Sequence, residues 1–128
     1  MSYYYSKTIH LGFEEAVEKV TEGLKAEGFG VLTEIDIKAT LKKKLDVDFY
    51  NYTILGACNP PFAYKALQAE DKIGIMLPCN VIVQEKKTGE IEVSAVNPVA
   101  SMQAVDNEEL ADISAEVGNR LEKVINGL

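Results

Sequence analysis

The sequence predicts an α+β fold: a single domain over residues 1–128, with a mainly antiparallel sheet and helices packed on one of its faces. Three observations lead there. Strand-like runs follow one another closely instead of alternating regularly with helices, which favours antiparallel pairing. Two amphipathic periods of helical length lie near the two ends of the chain. No linker long enough to divide the chain interrupts them.

Taken in order, Tyr3-Tyr4-Tyr5-Ser6-Lys7-Thr8-Ile9 is rich in aromatic and β-branched residues that fit a pleated surface, and reads as the first strand. From Gly12 the period changes. Phe13, Ala16, Val17, Val20 and Leu24 recur at helical spacing with glutamates opposite them, and Gly28 stops the helix. Phe29, Val31, Thr33 and Ile35 then alternate with Gly30, Leu32 and Glu34, as a strand with one buried face would. Asp36 can cap a short helix in which Ile37, Leu41 and Leu45 face inward and Lys42-Lys43-Lys44 face water.

Phe49 to Leu55 is the next strand, running into Gly56-Ala57-Cys58-Asn59-Pro60-Pro61. Proline cannot continue a central ladder but is harmless in a first helical turn, so the strand ends there and a helix begins at about Phe62. After that helix, Ile73 to Leu77 leads to Pro78-Cys79-Asn80 and the strand Val81 to Glu85. Lys87-Thr88-Gly89-Glu90 is a hairpin turn with Gly89 at positive φ, and Ile91, Val93 and Ala95 line one side of the return strand, which closes at Asn97-Pro98. Asp106 with Glu109 forms a capping-box pattern before a last helix that carries Leu110, Ile113, Val117, Leu121 and Val124 on one face.

Composition narrows the function. With 47% hydrophobic and 26% charged residues the chain is neither disordered nor fibrous, and at 128 residues it can bury a core without staples. Thirteen basic against 20 acidic residues give a charge of -7, which opposes attraction to phosphate, so no nucleic-acid partner is expected. No apolar run approaches the ~18 residues of a membrane span and the first ten residues lack the features of a signal peptide, so no membrane partner and a cytoplasmic location are expected. Two cysteines in such a chain are expected to be reduced thiols.

Several machineries are excluded outright. His10 is the only histidine, so three-histidine zinc sites and HExxH helices cannot be built within one chain. No glycine-rich phosphate loop and no GxSxG elbow is present. The carboxylates are spread over helix faces and turns and do not converge. What remains is Cys58-Asn59 and Cys79-Asn80, each thiol beside a proline-broken corner and each followed by an amide able to bond backbone or ligand. A helix pointing its N-terminus at Cys58 would favour a thiolate. The bland alternative is that cysteine packs as a small hydrophobe while Asn caps a turn.

The segments Tyr52-x-Ile54-Leu55-Gly56-Ala57-Cys58-Asn59-Pro60-Pro61, Ala66-Leu67 and Gly74-x-x-Leu77-Pro78-Cys79-Asn80-Val81-x-Val83 resemble the signature of a bacterial and archaeal family, domain of unknown function family 302. The resemblance covers essentially the whole chain. It implies a β-α-β-β-β-β-α order similar to one half of the TATA-binding-protein fold, and a homodimer. It implies no activity and supplies no catalytic residues.

The leading expectation is therefore a small cytoplasmic binding domain, with a small-molecule ligand or a metal contacted near Cys58, Asn59, Cys79 and Asn80. The competing expectations are a thiol-dependent redox enzyme using the same residues, and a dimeric structural module whose cysteines only pack. No cofactor and no set of metal ligands can be assigned from the sequence.

Overall fold

The computed structural model describes all 128 residues. In chain order the elements are β1 (Tyr4–Ile9), α1 (Phe13–Ala26), β2 (Gly30–Asp36), α2 (Ile37–Leu45), β3 (Tyr52–Cys58), α3 (Pro60–Ala69), a 3-10 turn (Asp71–Met76), β4 (Cys79–Glu85), β5 (Ile91–Val96), α4 (Pro98–Ser101) and α5 (Glu108–Asn126). The five strands form one sheet in the order β1-β5-β4-β3-β2, with every pairing antiparallel. This is the α+β architecture expected, including the helices after β2 and β3, with the 3-10 turn and α4 in addition.

One face of the sheet carries the core. Leu55, Ala57, Val81, Val83, Val93 and Ala95 project from the strands onto Ala16, Val20 and Leu24 of α1 and onto Val117, Leu121, Val124 and Ile125 of α5. The four-residue spacing along α1 and the three- and four-residue spacings along α5 hold these side chains on one stripe each. Burying each of the larger ones contributes about 1.5–3 kcal/mol. The end of α1 is fixed by Gly28 at φ 88°, which lets Phe29 N–H reach back to the Leu24 carbonyl (2.9 Å) and Gly28 N–H to that of Lys25 (3.1 Å). Both Leu24 and Phe29 then enter the core, as the left-handed helix stop with its apolar clasp requires.

Several details differ from the sequence expectation, one being that β3 begins at Tyr52 and not at Phe49. In β2 a bulge between Val31 and Thr33 inserts an extra residue opposite β3. The alternation is therefore broken: Phe29 and Val31 pack on the core, whereas Thr33 and Ile35 pair with Gly56 and Ile54 on the other face. In α2, Asp36 caps as expected, accepting from Ala39 N–H at 2.9 Å, but Leu45 is exposed because nothing covers the outer end of this helix. Asn107, not Asp106, caps α5: its side-chain oxygen accepts from Glu109 N–H (3.0 Å) while its amide donates to the Ala69 carbonyl (2.8 Å). One side chain thus satisfies two chain ends, which a carboxylate with no N–H could not do.

The opposite face of the sheet is uncovered. The pairing brings Ile35, Ile54, Ile82, Ser94 and Ser6 into one row across it, with Ser6 and Ser94 hydroxyls 2.9 Å apart. A second row holds Tyr52, Gln84, Glu92 and Thr8, tied together by hydrogen bonds from Tyr50 to Gln84 and from Gln84 to Glu92. Phe49, Tyr50 and Tyr52 cluster at its edge, the first two stacked at 4.2 Å.

Candidate functional site

The end of the sheet where β3 finishes and β4 begins is hollow. Cys58 ends β3, Asn59 turns the chain, and Pro60 and Pro61 start α3, two residues earlier than expected. The prolines set the exit direction, since their fixed φ suits a first helical turn and forbids another strand residue. The helix side facing the sheet then presents Ala63 and Ala66, too small to fill the space between α3 and α5. The result is a cavity of about 320 Å³, a volume within the range of small-ligand pockets.

Its walls come from distant parts of the chain. The sheet supplies Ala57, Cys58 and Cys79; the segment entering β4 supplies Leu77 and Pro78; α3 supplies Phe62, Ala63, Ala66 and Leu67; α5 supplies Ile113, Ser114 and Val117. Pro98, Met102, Phe29, Leu32 and Asn59 complete the lining. Leu32 and Leu67 are 68% and 44% exposed and so stand at the mouth. The bulge in β2 is what allows Leu32 to reach it.

The cavity offers almost nothing polar. Of its polar side chains, Ser114 donates to the Met102 sulfur at 3.3 Å, and the buried Asn59 amide donates to the Glu27 carbonyl at 3.4 Å. That carbonyl also accepts from Arg120 Nη1 at 3.2 Å, so Asn59 belongs to the scaffold that joins the α1 stop to the α3 start. A guest in the cavity therefore meets mainly apolar surface and sulfur, and a buried polar group of its own would find few partners.

Three of the four residues singled out in the sequence, Cys58, Asn59 and Cys79, line this one cavity. Asn80 does not. It follows Cys79 on the same strand, so the two-residue period turns it to the open face, where it is exposed beside Tyr52 and Ile82. Both thiols are free, and no cluster of three or more His, Cys, Asp or Glu forms around them or elsewhere. Burial, followed by the nearby Cys58, pushes the Cys79 thiol up to about 11. The helix that starts at this corner is a poor donor to an anion, because Pro60 and Pro61 have no N–H and only Phe62 remains in the first three positions.

Sequence reading did not find Phe62, Met102 or Ser114 as part of the site. The available signal was the pair of small residues, Ala63 and Ala66, three apart on one helix face beside a proline corner.

Charge lies just outside the apolar wall. The Phe62 ring carries the Arg120 guanidinium at 5.2 Å and the Lys65 ammonium at 5.7 Å from its centre. Arg120 is held by Glu116 (3.1 Å) and by the Glu27 carbonyl, whereas Lys65 has no ion-pair partner.

Among curated proteins none matches the chain. Its fold is similar to the crystal structure of an uncharacterised conserved DUF302 protein from Bacillus stearothermophilus, with a TM-score of 0.91 and 28% sequence identity over 98% of each chain. The model of the family described as "Domain of unknown function DUF302" matches residues 5–128. The chain belongs to that family.

Proposed function

We propose that this domain binds a small, largely apolar molecule at the Cys58 and Cys79 end of its sheet. The observation that carries the reading is the cavity of about 320 Å³ walled by aliphatic, aromatic and sulfur groups, with its few polar side chains already partnered. The thiols serve as soft, polarisable wall, in keeping with how buried cysteine and methionine fill irregular apolar space. A thiol-redox role is less well supported. With its thiol pushed up to about 11, Cys79 holds only about one thiolate in ten thousand near pH 7, and the thiolate is the reacting form.

A second copy of the chain is the proposed protein partner, seated on the open sheet face. Ile35 and Tyr4 there are 43% and 44% exposed, and the Ile54 and Ile82 row between them is uncovered. A face that combines an isoleucine row and tyrosines with hydrogen-bonding side chains suits a self-complementary contact.

The binding reading is tested with phenylnaphthylamine, a neutral apolar dye that fluoresces on leaving water. Saturable enhancement is expected with the native chain, with a dissociation constant in the micromolar range typical of a ligand of that size. Ala63→Leu, which adds bulk from a half-buried wall position, is expected to weaken binding at least about tenfold at an unchanged melting temperature. A linear, unsaturable response, or equal binding by the folded variant, would rule the reading out.

A further inference from the structure

We infer that the ligand is an amphipathic monocarboxylate, an apolar chain or ring with one carboxylate at its end. This rests on the apolar cavity proposed above as a binding site. The interior fixes one half of the chemistry, since it holds no charged side chain and its two polar ones, Asn59 and Ser114, already donate to the Glu27 carbonyl and the Met102 sulfur. The surroundings of Phe62 fix the other half. Phe62 forms a wall of the cavity, and its ring carries both Arg120 and Lys65 within 6 Å of its centre. Arg120 is balanced by Glu116 and lies beside Glu27, so Lys65 is the uncompensated charge beside this wall in a chain of net charge -7.

The two cations differ in what they have left to offer. Arg120 commits N–H groups to Glu116 and to the Glu27 carbonyl, which fixes the guanidinium beside the ring and leaves three of its five donors free. Lys65 is exposed, stands one residue before the cavity-lining Ala66, and has no acidic partner. A head group emerging beside Phe62 thus meets a fixed planar donor and a mobile ammonium together, the combination that suits a carboxylate. A ligand ending in a cation would face repulsion at the same place.

The test displaces bound phenylnaphthylamine with decanoate and with decanol, which share a tail and differ in charge. Decanoate is expected to displace the dye at about three- to tenfold lower concentration at low salt, the range that two partly exposed charge contacts provide. The gap should shrink in high salt and narrow to about twofold or less in Lys65→Gln, a surface change that leaves decanol's own affinity unaltered. Equal or stronger displacement by decanol would overturn the carboxylate assignment while leaving the apolar site standing. A gap that persists unchanged in both Lys65→Gln and Arg120→Gln would overturn it as well. Failure of the dye itself to bind would instead remove the cavity reading on which this rests.

Discussion

Alkaline pH should destabilise this protein through one buried thiol. Cys79 sits under α3 and α5 at 9% exposure, and burial, followed by Cys58, raises its pKa from an ordinary 9.0 to about 11. Below 9.0 the thiol is protonated in both folded and unfolded chains, and pH has no leverage through it. Between 9.0 and 11 the unfolded chain gives up the proton while the folded chain keeps it, so the unfolded state binds fewer protons and stability falls as pH rises. Two pH units correspond to about 2.7 kcal/mol over the whole window, and about 2 kcal/mol is lost by roughly pH 10.5. Tyr5, raised by burial and then by Glu122, and Tyr52, raised by burial and then by Tyr50 and Tyr3, act in the same direction from 10.0 upward. Cys79→Ala isolates the thiol. Urea unfolding followed by circular dichroism at about pH 8 and pH 10.5 should show the native chain losing about 2 kcal/mol more than the variant loses over the same interval. The variant's own cost at the lower pH, about 1 kcal/mol for the removed sulfur, cancels because each chain is compared with itself. Equal losses in the two chains would refute the argument.

Gly56 should resist substitution, because a methyl added there would meet Thr33 Oγ1 and approach Pro78 Cγ at 2.9 Å. Gly56→Ala is expected to cost about 1–3 kcal/mol in denaturant unfolding, with part recovered by adding Thr33→Ala; a neutral result would show that β2 yields freely. Asn107→Ala removes both the α5 cap and the bond to the Ala69 carbonyl and should cost about 1–2 kcal/mol, whereas Asn107→Asp, which keeps only the cap, should fall between. Ile82→Glu on the open face should convert a two-chain species into a monomer by light scattering while leaving dye binding intact. An unchanged mass in both chains would argue against that face as the contact.

The helices and strands were legible where one period governed a whole element, as along α1 and α5, because burial on one stripe leaves its spacing in the sequence. The bulge was not. Phe29, Val31, Thr33 and Ile35 alternate without flaw, and only the register against β3 reveals that Leu32 is the extra residue that turns the last two outward. Leu45 falls at the right spacing in α2, but spacing says nothing about whether another element covers that turn. For the site, the proline-flanked corner brought Cys58, Asn59 and Cys79 to notice, and the structure joins them in one cavity. The two-residue strand period already separates Asn80 from Cys79, so its place on the other face was readable. The Met102 and Ser114 wall arises from packing α4 and α5 against α3, a tertiary event whose one local trace is the small pair Ala63 and Ala66.

The occupancy of that cavity can be read on Cys58 itself, which is half-buried in its wall and unpaired. The decisive measurement is the rate at which iodoacetamide modifies Cys58, followed by peptide mass spectrometry, with and without saturating phenylnaphthylamine. A bound apolar guest should slow that modification at least about tenfold, the factor expected when access requires the site to empty. An unchanged rate, with the dye demonstrably bound, would place the ligand elsewhere and contradict the account.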